Sequence, residues 1–290
     1  MTNNPNLKDY LVLFLLGALW GSSFGAIKIA LYGFSPLTVM SVRIILAAIF
    51  LLILVLVRGS PFPSGIKNWI KIFWMALLGT IIPFFLVPWG QKQIDSSLAS
   101  ILMAITPFFA IILGHFFSKN EIFTLRRFIS ILVGFFGILL VFGENAFASP
   151  YDNILAQLAV ILAGIGYATS GVIATRMKEF SADSVTASIL ISASAIIFPI
   201  WISIEKPWNI NTEKDSLLAL IHLGFVSTGI AFLMRYYLIL RAGAVFLSYV
   251  AFLIPMFGIF FGVFFLEESI SSKTIGAVIL ILIGLYLGRK

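Results

Sequence analysis

Residues 99–117 read ASILMAITPFFAIILGHFF. His115 is the one ionisable side chain in the run, and Pro107 stands near its middle. A helix needs roughly 20 mostly apolar residues to cross a bilayer, and this segment has that length and character. The chain then repeats it. Residues 247–265 read LSYVAFLIPMFGIFFGVFF, at an offset of about 148 residues (Pro107 to Pro255). Gly114 meets Gly262, and Phe116-Phe117 meets Phe264-Phe265. Beyond the run, Glu121 meets Glu268 and Gly137 meets Gly284. Toward the N-terminus, Gly17 matches Gly164, Trp20 matches Tyr167 and Ser23 matches Ser170, at an offset of about 147 residues. Apolar helices resemble one another by chance. A proline, several glycines and a loop glutamate in matching order are harder to obtain that way.

The rest of the chain fits this solvent. Of its 290 residues, 60% are hydrophobic and 11% charged, and the mean hydropathy is +1.08. Soluble domains carry about 25% charged residues, so too little polar surface exists here to cover a globule. The 29 Phe and 6 Trp suit a lipid-facing surface with interfacial aromatics. The net charge of +7 is that of basic cytoplasmic loops rather than of a nucleic-acid surface. With no cysteine, disulfide and thiol chemistry are excluded.

Runs of suitable length occur near residues 10–31, 36–57, 71–91, 97–117, 124–143, 153–175, 184–204, 217–240, 243–265 and 273–288. The expected fold class is an all-α integral membrane protein of ten transmembrane helices. The first run is followed by others and lacks a short cleavable core, so it is expected to be a span rather than a signal peptide. With the N-terminus inside, Lys8, Arg58, Lys67, Lys71, Lys119, Arg126, Arg127, Arg176, Lys178, Arg241, Arg289 and Lys290 fall on the cytoplasmic side. Lys92, Lys206, Lys214 and Lys273 fall outside. That asymmetry puts both termini in the cytoplasm, in a multi-pass protein of the inner (cytoplasmic) membrane.

Five spans per copy is an odd number, so the second copy enters the membrane upside down relative to the first. The expected organisation is a five-helix repeat over residues 1–145, its inverted copy over 150–290, and no soluble domain. Inverted repeats are an architecture of secondary transporters, because two exchangeable halves around a central site produce alternating access.

Ten spans in two such halves resemble the EamA-type branch of the drug/metabolite transporter superfamily. The stretches that carry the resemblance are GALWGSSFGAIKIAL (17–31), RIILAAIFLL (43–52), SSLASILMAITPFFAIILGHFF with ISILVGFFGILLV (96–117 and 129–141), and VFLSYVAFLIPMFGIFFGVFFLEESISSKTIGAVILILIGLYLG (245–288). It covers nearly the whole chain. It implies a small-solute transporter with a cavity between the halves, often an exporter of amino acids or related metabolites. The chain departs from internal symmetry at two places: Tyr167 stands where the first half has Trp20, and the seventh span has no partner for Arg43.

Three basic residues lie inside spans: Lys28, Arg43 and Arg235. A charge in hydrocarbon costs several kcal/mol unless it faces protein, water or a partner. Lys28 is about one helical turn from the outer end of its span, and its stem can snorkel to the headgroups. It also shares one helical face with Trp20, Ser23, Phe24 and Ile27, the most polar face of the segment. Arg43 lies deeper and cannot lose its charge. Arg235 either snorkels toward Arg241 or turns inward. The carboxylates lie in loops or at span edges, and none is mid-span. Carrying a bare organic cation, or a proton on a buried Asp or Glu, uses such a group. A positive membrane interior suits a solute with a negative group.

The candidate substrate site therefore comprises Trp20, Ser23, Lys28, Arg43, Trp89, Tyr167, Ser170, Arg235, Tyr236, Ser248 and Tyr249. Pro107 and Pro255 are candidate hinges, since proline removes a backbone donor and permits a kink. His115 and His222 lack a second ligand at metal spacing, so no metal and no cofactor is expected. No nucleophile–base pair marks an enzyme, and no Walker A pattern marks ATP drive. The expected function is a secondary transporter of an amino acid or a related zwitterionic or anionic solute, an exporter working by alternating access; the alternative is an uptake permease of the same fold for an amine or organic acid. Its partners are the small solute and membrane lipid, not nucleic acid. Coupling to protons or a counter-substrate, and a monomeric or homodimeric state, stay open.

Overall fold

The computed structural model describes residues 5–94, 96–117, 124–146, 153–209, 212–257 and 272–287. Helices lie on all ten expected spans, and no strand occurs among the described residues. We number them α1 Leu7–Gly33, α2 Pro36–Arg58, α3 Ile66–Gln91, α5 Leu125–Ala146, α6 Ile154–Ala174, α7 Ala182–Glu205, α8 Lys214–Ala242, α9 Ala244–Phe257 and α10 Ser272–Leu287. Helix α4 runs from Ser96–Leu102 through a 3-10 turn at Met103–Ile105 into Thr106–Phe117. Among the described residues, seven of these, α1 to α4 and α6 to α8, are long and apolar enough to cross a membrane, and the described part of α9 is a shorter apolar stretch.

Several helices outrun their apolar cores. Helix α1 starts at Leu7 rather than near residue 10, α3 at Ile66 rather than 71, and α8 spans Lys214–Ala242 rather than 217–240. Apolarity marks the lipid, whereas the helical ladder continues until a cap stops it. At α1 the cap is Asn6. Its side chain accepts from the Asp9 N–H at 3.1 Å, and Asp9 accepts from the Asn6 N–H at 2.8 Å, a capping box. Helix α2 starts with Ser35, whose Oγ accepts from the Thr38 N–H, and with Pro36, preset for the first turn. Gly243, at φ 99°, turns the chain from α8 into α9 in a single residue, a conformation L side chains resist.

The helices pack in pairs: α1 on α8, α2 on α7, α3 on α6 and α5 on α10. Polar clasps hold the first two pairs at both ends. At the end carrying the N-terminus, the fully buried Asp9 accepts from Arg241 Nε (2.9 and 3.2 Å) and from Tyr237 Oη (3.3 Å), joining α1 to α8. At the same end Ser60 donates to Asp183 at 2.8 Å and Arg58 stands 3.7 Å from it, joining α2 to α7. At the far end Ser216 donates to the Ile29 carbonyl, and Trp201 Nε1 donates to Thr38 Oγ1.

Besides α4, two helices change winding in mid-span. Leu77–Ile81 in α3 and Phe225–Ile230 in α8 are π-helical turns, about 148 residues apart. Such turns shift the hydrogen-bond ladder by one residue and concentrate at functional sites. Pro83 has no N–H to offer the carbonyl four residues back, so Gly79 O is left for a side chain. In α8 the Ala231 N–H reaches past Ser227 to Val226 O. Both turns face the middle of the molecule, where the candidate site lies.

Candidate functional site

A cavity of about 80 Å³ lies among α1, α2, α3, α4, α6, α8 and α9. Helix α1 supplies Trp20, Ser23, Phe24 and Ile27, and α6 supplies Tyr167, Ala168 and Gly171. Helix α3 supplies Phe84 and Val87, and α4 supplies Met103, Thr106 and Ala110. Helix α9 contributes residues between Ala244 and Ile254, including Ser248. Arg43 of α2 and Arg235 of α8 complete the wall, and both are almost fully buried, at 4% and 1% exposure.

Each guanidinium is held by the π turn of another helix or by an aromatic face. Arg43 Nε donates to Thr228 Oγ1 in the α8 turn at 3.0 Å, and its guanidinium carbon lies 3.8 Å from the Phe84 ring centre. Arg235 Nη1 donates to Gly79 O, the carbonyl that Pro83 leaves open, at 3.4 Å. Its Nη2 donates to Tyr167 O at 3.1 Å. The Tyr167, Phe232 and Tyr236 rings surround it at 5.1–5.2 Å. Weakly hydrated and planar, a guanidinium stacks on aromatic rings. Among the described residues no carboxylate pairs with either arginine; the ion pairs there are Arg58–Asp183 and Arg241–Asp9.

The aromatic floor links the two. Trp20 stacks on Tyr167 at 6.5 Å between ring centres, and Phe84 meets Phe232 at 5.2 Å. Trp20 also meets Phe232, and Phe84 meets Tyr167. Trp20 and Tyr167 are partners at the sequence offset, and Phe84 and Phe232 stand at the same spacing. The Trp20 indole donates to Ser227 O at 3.1 Å, the carbonyl that the Ala231 N–H bypasses.

Of the residues expected from sequence, Trp20, Ser23, Arg43, Tyr167, Arg235 and Ser248 line the cavity. Arg235 turns inward, away from Arg241, because Gly79 O and Tyr167 O receive it. Lys28 is not among the lining residues. Its Nζ donates to Gln91 O at the end of α3, at 3.0 Å. Trp89 of α3 is half-buried, packed against buried apolar side chains. Ser170 is fully buried with its Oγ 3.3 Å from Tyr236 Oη, and Tyr236 is itself fully buried behind Phe232. Tyr249 shares a hydrogen bond with Ser130 at 2.8 Å, pointing away toward α5. Pro107 is the second residue after the 3-10 turn of α4, and Pro255 lies six residues past the break in α9 at Tyr249.

Phe84, Val87, Met103 and Thr106 were not anticipated. In an apolar span such residues carry no compositional signal. Phe84 alone had one: Thr80 and Phe84 repeat as Thr228 and Phe232. His222 accepts or donates at Ser22 and Ser227, at 3.1 and 3.2 Å, and no group of side chains suited to a metal ion occurs among the described residues.

The model of the EamA-like transporter family matches residues 7–143 and again residues 154–288. An uncharacterized transporter of Archaeoglobus fulgidus is 24% identical over 97% of this chain and 98% of its own length. One of Buchnera aphidicola is 29% identical over 91% of this chain and 87% of its own. A solved crystal structure superposes with a TM-score of 0.79 at 17% identity, covering 98% of this chain and 96% of that one, so the fold is shared across nearly the full length. The bundle, the cavity at its middle and the two family matches agree: the chain belongs to the EamA-like transporter family.

Proposed function

We propose that the protein is a secondary transporter that carries a small carboxylate-bearing solute, an amino acid or a related zwitterionic or anionic metabolite, through the cavity between α1–α5 and α6–α10. The observation that carries this reading is the pair of buried guanidinium groups, Arg43 and Arg235, lining one cavity with no carboxylate partner among the described residues. A buried charge without a counter-charge is expensive, and an anionic cargo supplies the missing one. The two family matches, each covering five helices, support inverted halves that exchange access to opposite sides. The distribution of Lys and Arg supports cytoplasmic termini. Export is favoured by resemblance to the family, with uptake by the same route as the alternative.

The test is counterflow in proteoliposomes with labelled amino acids, organic acids and amines, with and without a pH gradient. Saturable, protein-dependent flux of a carboxylate-bearing solute is expected, reduced at least tenfold in folded Arg43→Ala and Arg235→Ala variants. Flux of amines alone, unchanged in both variants, would refute this function. Reversing the solute gradient in oriented vesicles separates export from uptake.

A further inference from the structure

The hydrogen-bond inventory of the cavity wall is one-sided in two places. Ser23 donates its hydroxyl hydrogen to Trp20 O at 2.6 Å. Thr106 donates to Met103 O and Ser248 to Val245 O, each also at 2.6 Å. Each hydroxyl has one hydrogen, so these three cavity-lining side chains, on α1, α4 and α9, keep only lone pairs to offer a solute. The guanidinium groups are the reverse. Of the five N–H donors each one carries, Arg43 uses only that on Nε, and Arg235 one on Nη1 and one on Nη2, among the described residues. The cavity thus presents two positive charges with open donors, and three neutral acceptors.

From this we infer that the cavity selects a solute with two negative charges and neutral O–H donors, such as a hydroxylated dicarboxylate or a polyol phosphate, over an amino-acid zwitterion. The inference rests on the transporter reading above and moves its substrate class from a zwitterion to a hydroxylated dianion, carboxylate or phosphate. Two unpaired guanidinium groups are neutralised by two anionic charges, not one. The three lone-pair-only hydroxyls accept hydrogen bonds, and a neutral hydroxyl satisfies them as well as an ammonium does. The ammonium, however, brings a third positive charge into a buried site beside two others. At low effective dielectric the like-charge repulsion exceeds the gain from one hydrogen bond to a neutral acceptor. Trp20 and Tyr167 offer an ammonium little relief, since Tyr167 already faces the Arg235 guanidinium and Trp20 is stacked on Tyr167.

Malate and aspartate make the decisive pair. They share a carbon skeleton and both carboxylates, and differ in one group: a hydroxyl in the first, an ammonium in the second. The experiment measures ligand-induced stabilisation of the purified full-length protein in detergent, at fixed ionic strength, with malate, succinate, aspartate, alanine and glycerol 3-phosphate. Malate is expected to bind at least tenfold more tightly than aspartate, and several-fold more tightly than succinate, which lacks the hydroxyl. Arg43→Gln and Arg235→Gln should each weaken malate at least tenfold and narrow its margin over aspartate.

Should those variants fold poorly, Val87→Asp keeps both arginines and adds a carboxylate to the wall. It should weaken malate and strengthen aspartate, reversing their order. Aspartate binding as tightly as malate in the wild type would overturn the inference, as would no stabilisation by any of the three dianions. The two readings fail separately. Saturable counterflow of zwitterions with aspartate favoured leaves the transporter standing and removes the dianion. Tight malate binding with no flux of any solute does the opposite.

Discussion

Thr80 and Thr228 show how a single side chain breaks the symmetry of the two halves. Both sit in π turns about 148 residues apart. Thr228 Oγ1 accepts from Arg43 and donates to Leu223 O, whereas Thr80 Oγ1 is buried with no partner. Helix α2 reads FSPLTVMSVR over 34–43 where α7 reads FSADSVTASI over 180–189, so the position matching Arg43 is Ile189, which is fully buried. One half has the arginine for the hydroxyl and the other does not. Thr228→Val should therefore destabilise the protein by about 1–3 kcal/mol, the cost of stranding a buried donor, and Thr80→Val should be neutral or stabilising. Thermal unfolding in detergent measures both, and equal losses in the two variants would contradict the asymmetry. Part of the site was legible at this scale. A charge inside a span stands out against an apolar background, which is why Arg43 and Arg235 were found. The destination of Lys28 was not legible, because its acceptor is a backbone carbonyl 63 positions away and helical periodicity carries no information about that.

Among the elements, the contact of α3 with α6 decides how closely the two halves meet behind the cavity. Gly79 in the α3 π turn lies against Ser170, and a Cβ there would fall on the serine side chain. Gly166 of α6 lies against the Leu78 carbonyl, and a Cβ there would fall on backbone. Gly25 of α1 meets nothing within 4 Å. Gly79→Ala and Gly166→Ala should each cost about 1–3 kcal/mol through overpacking and displace the carbonyl that Arg235 binds. Gly25→Ala should be neutral or slightly stabilising, as Ala replaces Gly in a helix. Lower melting temperature and lost flux in the first two, with neither in the third, is the expected pattern. Long apolar runs made the helices legible, and the Pro/Gly order made the offset between copies legible. The π turns were not, since no residue type encodes them. Pro83 hinted at an open carbonyl in α3, but α8 has Ala231 at the matching place and winds the same way.

For the whole molecule, the claim is that one central cavity is reached from both sides of the membrane in turn. Clasps at both ends join α1 to α8 and α2 to α7, so the proposed alternating access requires motion between these pairs rather than within them. The composition offers a direct probe, because the chain contains no cysteine and a single introduced thiol is unambiguous. Ser248 lines the cavity and its hydroxyl donates to Val245 O in its own helix. Ser170 is fully buried outside it. The measurement is labelling of Ser248→Cys by a membrane-impermeant thiol reagent, in right-side-out and inside-out vesicles, with Ser170→Cys as the control. Alternating access predicts that Ser248→Cys reacts from both faces and is protected by a transported solute, while Ser170→Cys reacts from neither. Reaction of Ser248→Cys from one face only, at a rate no solute changes, would contradict it.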